Sequence, residues 1–347
     1  MGEILGIGTT HYPPGLVPEH LKPWPLARML HSDPRIPERM RDPRNWPEPM
    51  RAEWGDDEGI ASFKAHRERV FSAFRAQREE IEAFKPDLIV MWGDDQYENF
   101  QEDVIPPFCV LAYDTLAFQP FKRLGKRPNI WGEPNDKVFT WPGHARAGRQ
   151  LATGLLEAGI DVAYAYRPLH GDGVAHAFAN TLLYLDLDRK GFPYPILPIT
   201  VNCYGRDVVR SQGGGSRFGE EADPPAPSPR RCFELGRATA KFFRESPWRV
   251  VLMASSSWSH AFLTEKNHWI YPDLEADRAL LGQLQAGDYE AWRDVPLSQL
   301  EASGQHEVLN WMCLAGAMSE LGAKMELVDW VETWIFNAPK CLAVFRS

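Results

Sequence analysis

No two of the five cysteines, Cys109, Cys203, Cys232, Cys313 and Cys341, stand in a C-x-x-C spacing. A thiolate zinc site and a disulfide framework are therefore not expected, and a reducing compartment suits the chain. No apolar run approaches the length needed to cross a bilayer. The start, MGEILGIG, has neither the basic n-region nor the extended apolar h-region of a signal peptide. A soluble, cytoplasmic protein is the expectation. Positive charge is in deficit: 38 Lys and Arg stand against 47 Asp and Glu, a formal charge of −9. Such a field repels nucleic acid and anionic membrane surfaces, so neither is an expected partner. There is no internal repeat, and no G-x-S-x-G elbow to support Ser–His acyl transfer.

What is present is a chain of 347 residues with 44% apolar content, ample for a large core. Short β-branched runs at Ile4–Ile7, Asp87–Trp92, Phe108–Ala112, Asp161–Tyr166, Ile196–Asn202, Val250–Ala254 and Cys341–Phe345 read as strands. Between them Ala61–Phe84, His144–Ala158, Cys232–Phe243, Leu274–Leu284 and His306–Leu321 read as helices. This alternation predicts an α/β fold, a central, mostly parallel sheet flanked by helices, in a single catalytic domain spanning 1–347. Two segments break the pattern. Residues 12–58 are rich in Pro and Trp, as expected of a lid, a subunit contact or a surface wrap, and Trp46 and Trp54 argue that they pack against something. Residues 205–231, with SQGGGSRFGEEADPPAPSPRR, are too dense in Gly and Pro for regular structure and read as a mobile loop.

Several polar residues follow strands, where α/β sheets place their sites. His11 lies after the first strand in GTTHYPP; a lone loop histidine is more often hydrogen-bonded or at the surface than a ligand. Asp94, Asp95 and Gln96 follow DLIVMW; adjacent acids there suit cation handling, or simply cap an acidic turn. His260 ends the run SSSWSH, in which small hydroxyl residues such as Ser257 let a substrate approach, and histidine is the acid–base group suited to neutral pH. Glu307 shares a helix face with Trp311, Leu314, Met318 and Leu321, a costly place for a carboxylate unless something positive meets it. A plain preference for the helix N-terminus explains it equally well. His170 and His176, in PLHGDGVAHAF, read either as active-site or as structural histidines.

Taken in order, THYP, PDLIVMWGDDQYENF with VIPPF, the HG of PLHGDG, ILPITVN, RRCFELG, SSSWSHAF and HEVLNWMCLAGAM run across most of the chain. The ordered set resembles the class III extradiol ring-cleavage dioxygenases, the family of the catalytic subunit of protocatechuate 4,5-dioxygenase. The resemblance implies non-haem Fe(II) held by two histidines and one carboxylate, with a catechol and O₂ as small-molecule partners. It makes His11 the first ligand, Glu307 the carboxylate, His260 the acid–base residue and His170 a second catalytic histidine near the substrate. It also implies homo-oligomerisation, and a cover that some relatives receive from a small companion subunit and that residues 12–58 would supply here.

One position departs from the pattern. Gln96 stands where the family has its second histidine ligand, and an amide is a weaker donor to Fe(II) than imidazole. Gln96 would then ligate weakly, or Asp94 or Asp95 would turn in, or a distant histidine (His31, His66 or His176) would complete the set, or the chemistry has changed. The expectation adopted for the site is His11, Glu307 and Asp95 on the metal, with Gln96, Ser257 and His176 facing the substrate. The expected activity is extradiol cleavage of a catechol-type aromatic. The alternatives are a metal-dependent lyase or hydrolase of phenolic compounds, and an inactive accessory subunit.

Overall fold

The computed structural model describes residues 2–21, 25–170, 173–207 and 223–347. Eight strands form one sheet: β1 (Ile4–Thr9), β2 (Leu88–Asp94), β3 (Phe108–Leu111), β6 (Ala163–Ala165), β7 (Ile196–Val201), β8 (Val250–Ser255), β9 (Lys324–Val331) and β10 (Lys340–Arg346). Their order is β6-β3-β7-β2-β8-β1-β10-β9, and β4 (Thr115–Phe118) and β5 (Phe139–Pro142) make a separate hairpin. The centre, β7-β2-β8-β1, is parallel throughout, whereas β3 meets β7, and β10 meets β1 and β9, antiparallel. The α/β expectation with a mostly parallel sheet therefore holds. Strands β2, β7 and β8 are buried at every position, because helices cover both faces and leave no polar side to alternate with.

The helices are α1 (Pro25–Ser32), α2 (Glu48–Trp54), α3 (Ile60–Phe84), α4 (Ala145–Glu157), α5 (His176–Leu185), α6 (Pro229–Arg244), α7 (Leu274–Ala286), α8 (Tyr289–Asp294), α9 (Leu297–Ala302) and α10 (Val308–Leu321). One core cluster joins α4, α6 and α10 to the sheet, and a second joins α3 and α5 to its other face. Helices α6 and α10 touch backbone to backbone. A Cβ on Gly236 would lie 1.7 Å from the Cys313 carbonyl oxygen, and one on Gly316 would lie 2.0 Å from that of Phe233. Only glycine permits that approach, which seats the middle of α10 against α6.

Helix α5 was not foreseen: residues 177–185 are all buried, so the segment shows no amphipathic stripe. The edge strand β9 was missed too. The loop expected at 205–231 is shorter than its composition suggested. Helix α6 begins at Pro229, capped by the Ser228 side chain, which accepts from the Arg231 N–H, with proline in its first turn. Residues 208–222, including the GGGS run, lie outside the described residues.

Residues 12–58 are not a bare irregular wrap. Leu26, Ile36, Met40, Trp46 and Met50 form a third cluster with Tyr12, Phe63 of α3, and Ile270, Ile335 and Phe336. The Trp46 indole N–H donates to the Met40 carbonyl at 2.7 Å, and its ring meets Trp54 edge to face. Among the described residues no helix is long and apolar enough to cross a membrane.

Candidate active site

Parallel pairing aligns the carboxyl ends of the central strands: Thr9 of β1 pairs with Ser255 of β8, and Trp92 of β2 with Ala254. The segments leaving those ends converge, as ligand sites do in open α/β sheets. His11 is fixed from behind. Its Nδ1 lies 3.1 Å from the Ser255 carbonyl, and Asn180 of α5 donates to the His11 carbonyl at 3.1 Å. A carbonyl can only accept, so Nδ1 carries the proton and Nε2 presents a lone pair. That lone pair faces Asp94 Oδ1 at 3.7 Å and Glu307 Oε2 at 3.6 Å. Both oxygens are buried, and no hydrogen-bond donor among the described residues reaches either of them.

The other oxygens of the two carboxylates are bridged. The Gln96 amide nitrogen donates to Asp94 Oδ2 at 2.9 Å and lies 3.3 Å from Glu307 Oε1 and 3.0 Å from the Tyr204 hydroxyl. Tyr204 donates to Glu307 Oε1 at 2.5 Å. Glu307 stands at the N-cap of α10, is buried, and makes no side-chain cap bond; its carboxylate faces His11, His260 and Tyr204 instead. The Ser256 hydroxyl, which donates to the Glu307 carbonyl at 2.8 Å, ties that turn to the end of β8. His260 gives its Nδ1 to the Trp258 carbonyl at 2.8 Å and sets Nε2 3.3 Å from Glu307 Oε1.

His176 opens α5 beside His11, their rings edge to face with centroids 4.9 Å apart. Its Nδ1 and backbone N–H both bond the buried Glu98, which Arg123 pairs at 2.5 Å. His11, Asp94 and His176 each offer a ligand atom within 4.8 Å of the other two. His31 is exposed on α1, and His66 is enclosed by the rings of Tyr12 and Phe336. Of the three distant histidines considered for the gap, it is His176 that reaches the cluster.

The electrostatics follow from burial. Desolvation lowers His11 to about 4 against the pull of Glu307, and it also lowers His260, so both rings are neutral near pH 7. Burial and the neighbouring Glu307 push Asp94 well above the usual carboxylate range. For Glu307 burial opposes ionisation, but the Tyr204 hydroxyl that bonds it and the nearby charged His176 act the other way and leave it below the usual value. Burial opposes a charge on His176, but Glu98 overcomes it and raises the ring to about 9, while Glu98 itself falls to about 2.

Three of the expected site residues lie apart from the cluster. Asp95 does not face the cluster: its carboxylate accepts from the backbone N–H groups of Glu98, Asn99 and Phe100 and from the Asn99 amide, an acidic turn of the ordinary kind. The carboxylate at the centre is Asp94. His170 is partly exposed and bonded to Asp103 at 2.9 Å; its neighbours Gly171 and Asp172 lie outside the described residues. The histidine of this segment that joins the cluster is His176. Ser257 is buried and bonded to Thr10 at 2.8 Å, so the hydroxyl that touches His11 belongs to Ser255, at 3.2 Å. Tyr204 carried no sequence signal, standing in a short turn after β7. A cavity of about 410 Å³ opens beside the cluster, bordered by Gln96, His176 and Asn180 on one side and Pro13, Leu16 and Phe118 on the other.

Three potential ligand atoms, His11 Nε2, Asp94 Oδ1 and Glu307 Oε2, thus converge, and with both carboxylates ionised no donor among the described residues separates them. That is repulsive unless a cation sits between them, so the donor set fits a divalent metal. A ligating histidine normally gives its other N–H to a carbonyl or carboxylate, as His11 does to Ser255 and His176 does to Glu98.

Comparison with known proteins agrees. A model of the catalytic LigB subunit of aromatic ring-opening dioxygenase matches residues 221–337, the stretch that holds His260 and Glu307. That stretch is similar to the LigB-family domain. This is the domain of the class III extradiol dioxygenases, as the motifs implied. Among curated relatives, the chain is 32% identical over 195 residues to 2,3-dihydroxyphenylpropionate/2,3-dihydroxicinnamic acid 1,2-dioxygenase 2 of Pseudomonas putida, covering 56% of this chain and 49% of that protein. It is 29% identical over 199 residues to the corresponding dioxygenase of Photorhabdus laumondii, covering 57% and 50%. With that of Cupriavidus necator it is 25% identical over 307 residues, covering 75% and 86%. The first two matches span about half the length of those relatives. A solved structure of an uncharacterized Escherichia coli K12 protein superposes with a TM-score of 0.46 at 13% identity, over 78% of this chain and 91% of that one, too distant a likeness to carry an argument.

Proposed function

We propose that this protein is a metal-dependent extradiol dioxygenase that opens the ring of a catechol-type aromatic, with Fe(II) as its metal. The observation that carries the reading is the convergence of His11, Asp94 and Glu307 beside His260, next to a cavity of about 410 Å³ whose lining includes their neighbours Gln96 and His176. The likeness to the LigB-family domain and the names of the relatives support it. Ferrous iron bound there would supply the place where the catechol oxygens and O₂ meet, and the ring itself would provide the electrons. The remaining work belongs to the chain. His260, its Nδ1 proton held by Trp258, keeps Nε2 available to take a proton from a ring hydroxyl and return it. His176, held by Glu98, is placed to donate from the opposite flank. Ser255 and Asn180 keep His11 in one orientation. Pro13 and Leu16 border the cavity, which supports the first residues of the 12–58 segment as part of its cover.

Anaerobic loading with Fe(II), followed by an O₂-electrode screen of catechols, tests the reading. Uptake of one O₂ per ring opened is expected. A second reading, a metal-dependent lyase or hydrolase of phenolic compounds, is favoured by Gln96 alone, and turnover without O₂ would establish it instead.

A further inference from the structure

We infer that Asp94 takes the place of the imidazole missing at Gln96, so that the cation is held by one imidazole and two carboxylates: His11, Asp94 and Glu307. The inference rests on reading the cluster as a divalent-metal centre; it does not depend on which reaction follows.

Residues two apart share a side of an extended chain. Asp94 ends β2 on the side that faces His11, Gln96 in the bend that follows reaches back to it, and Asp95 between them turns away to its own loop. The chain thus has two chances to present a group here, and the two side chains divide the work. Gln96 turns its amide nitrogen toward Asp94, Glu307 and the Tyr204 oxygen. Two carboxylates demand a donor, so this end of the amide is the NH₂ and the carbonyl oxygen points elsewhere. Gln96 therefore offers no lone pair toward His11. It holds the outer oxygens of both carboxylates, which aims the inner ones, Asp94 Oδ1 and Glu307 Oε2, at His11 Nε2.

Charge supports the same assignment. Asp94 and Glu307 are 0% and 1% exposed. They are bridged by the neutral Gln96 amide and face the His11 ring. Two buried carboxylates side by side repel once both are ionised, and a divalent ion between them relieves that repulsion. His176 also reaches Asp94 and His11. Both groupings share His11 and Asp94, and neither contains Gln96 or Asp95. An oxygen-rich set of this kind accepts Mn(II) as well as Fe(II).

The test compares wild type, Asp94→Asn and Gln96→Ala as full chains, each titrated with Fe(II) without air and with Mn(II), and each melted as apo-protein. Asp94→Asn is nearly isosteric and should fold. It should lose metal affinity on the order of 100-fold or more, because even groups that merely hold a ligand typically contribute 10–100-fold. Its apo form should melt at a higher temperature than apo wild type at neutral pH, because a buried carboxyl crowded by Glu307 is replaced by a neutral amide. Gln96→Ala should lose about tenfold or less. If Gln96→Ala lost as much metal as Asp94→Asn, or if Asp94→Asn bound metal like wild type, the assignment would be overturned. Wild type that binds no divalent ion would overturn it as well. Wild type that binds metal through Asp94 but consumes no O₂ with any catechol would sink the proposed function and leave this assignment standing.

Discussion

Replacing Asp277 with Asn should make the protein more stable at neutral pH, by an amount that fades as the solution is acidified. Asp277 is fully buried in α7 and joins the two segments that carry His260 and Glu307. The Ser259 N–H and hydroxyl and the Gln305 amide, at 2.7 Å, all donate to it. Ser259 precedes His260, and Gln305 stands two residues before Glu307. Burial outweighs these donors and raises the carboxyl to about 7 from an ordinary 3.8. A carboxyl raised in the folded state binds its proton more tightly there than in the unfolded chain. Stability is therefore greatest below pH 4 as far as this group is concerned, falls between about pH 4 and 7, and is level above that. At about 1.4 kcal/mol per pH unit, the whole interval corresponds to roughly 4 kcal/mol. Asparagine keeps the shape, still accepts from Ser259 N–H and Gln305, and carries no charge to desolvate. Urea unfolding of wild type and Asp277→Asn at pH 5, 6, 7 and 8 should show a gap that widens up to pH 7 and then stays level. A gap independent of pH, or a variant less stable throughout, would refute the reasoning.

Other outcomes follow from the same geometry. His260→Ala should leave bound metal near wild type while turnover falls about 10²–10⁴-fold, the usual contribution of a general acid–base group; loss of metal instead would make His260 a ligand. Tyr204→Phe removes the hydroxyl that holds Glu307 and should weaken metal binding by roughly 10–100-fold, read by competition with a chelator. Gly316→Ala places a methyl 2.0 Å from the Phe233 carbonyl and should destabilise the chain by about 1–3 kcal/mol, measured by urea unfolding.

The sheet was legible because its central strands are short runs dominated by apolar and β-branched residues, the mark of burial from both sides. Helix α5 was not, because His176–Leu185 is buried on all its faces and lacks the polar side that betrays a helix. Strand β9, KMELVDWV, sits at the sheet edge, with charged residues interrupting any apolar run. At the site, His11, His260 and Glu307 stood out because each is a reactive side chain next to a strand end or on an apolar stripe, and the structure brings all three together. The choice between Asp94 and Asp95 needed side-chain direction, which adjacent identical residues cannot reveal. His170 was preferred to His176 for its HG motif, but the packing of α5 against the strand ends gives His176 the inner place. Gln96 drew notice as a departure from a family pattern, and its contacts with two carboxylates became visible only in three dimensions.

The central claim is that the converging atoms of His11, Asp94 and Glu307 hold an iron that opens an aromatic ring with O₂. The direct measurement is O₂ consumption by the Fe(II)-loaded chain, with the ring-opened product followed by its absorbance, for wild type and Glu307→Gln side by side. The account predicts one O₂ consumed per catechol opened by wild type, and no uptake and no bound iron in the variant. Ring opening that proceeds without O₂, or undiminished uptake by a Glu307→Gln protein, would contradict it.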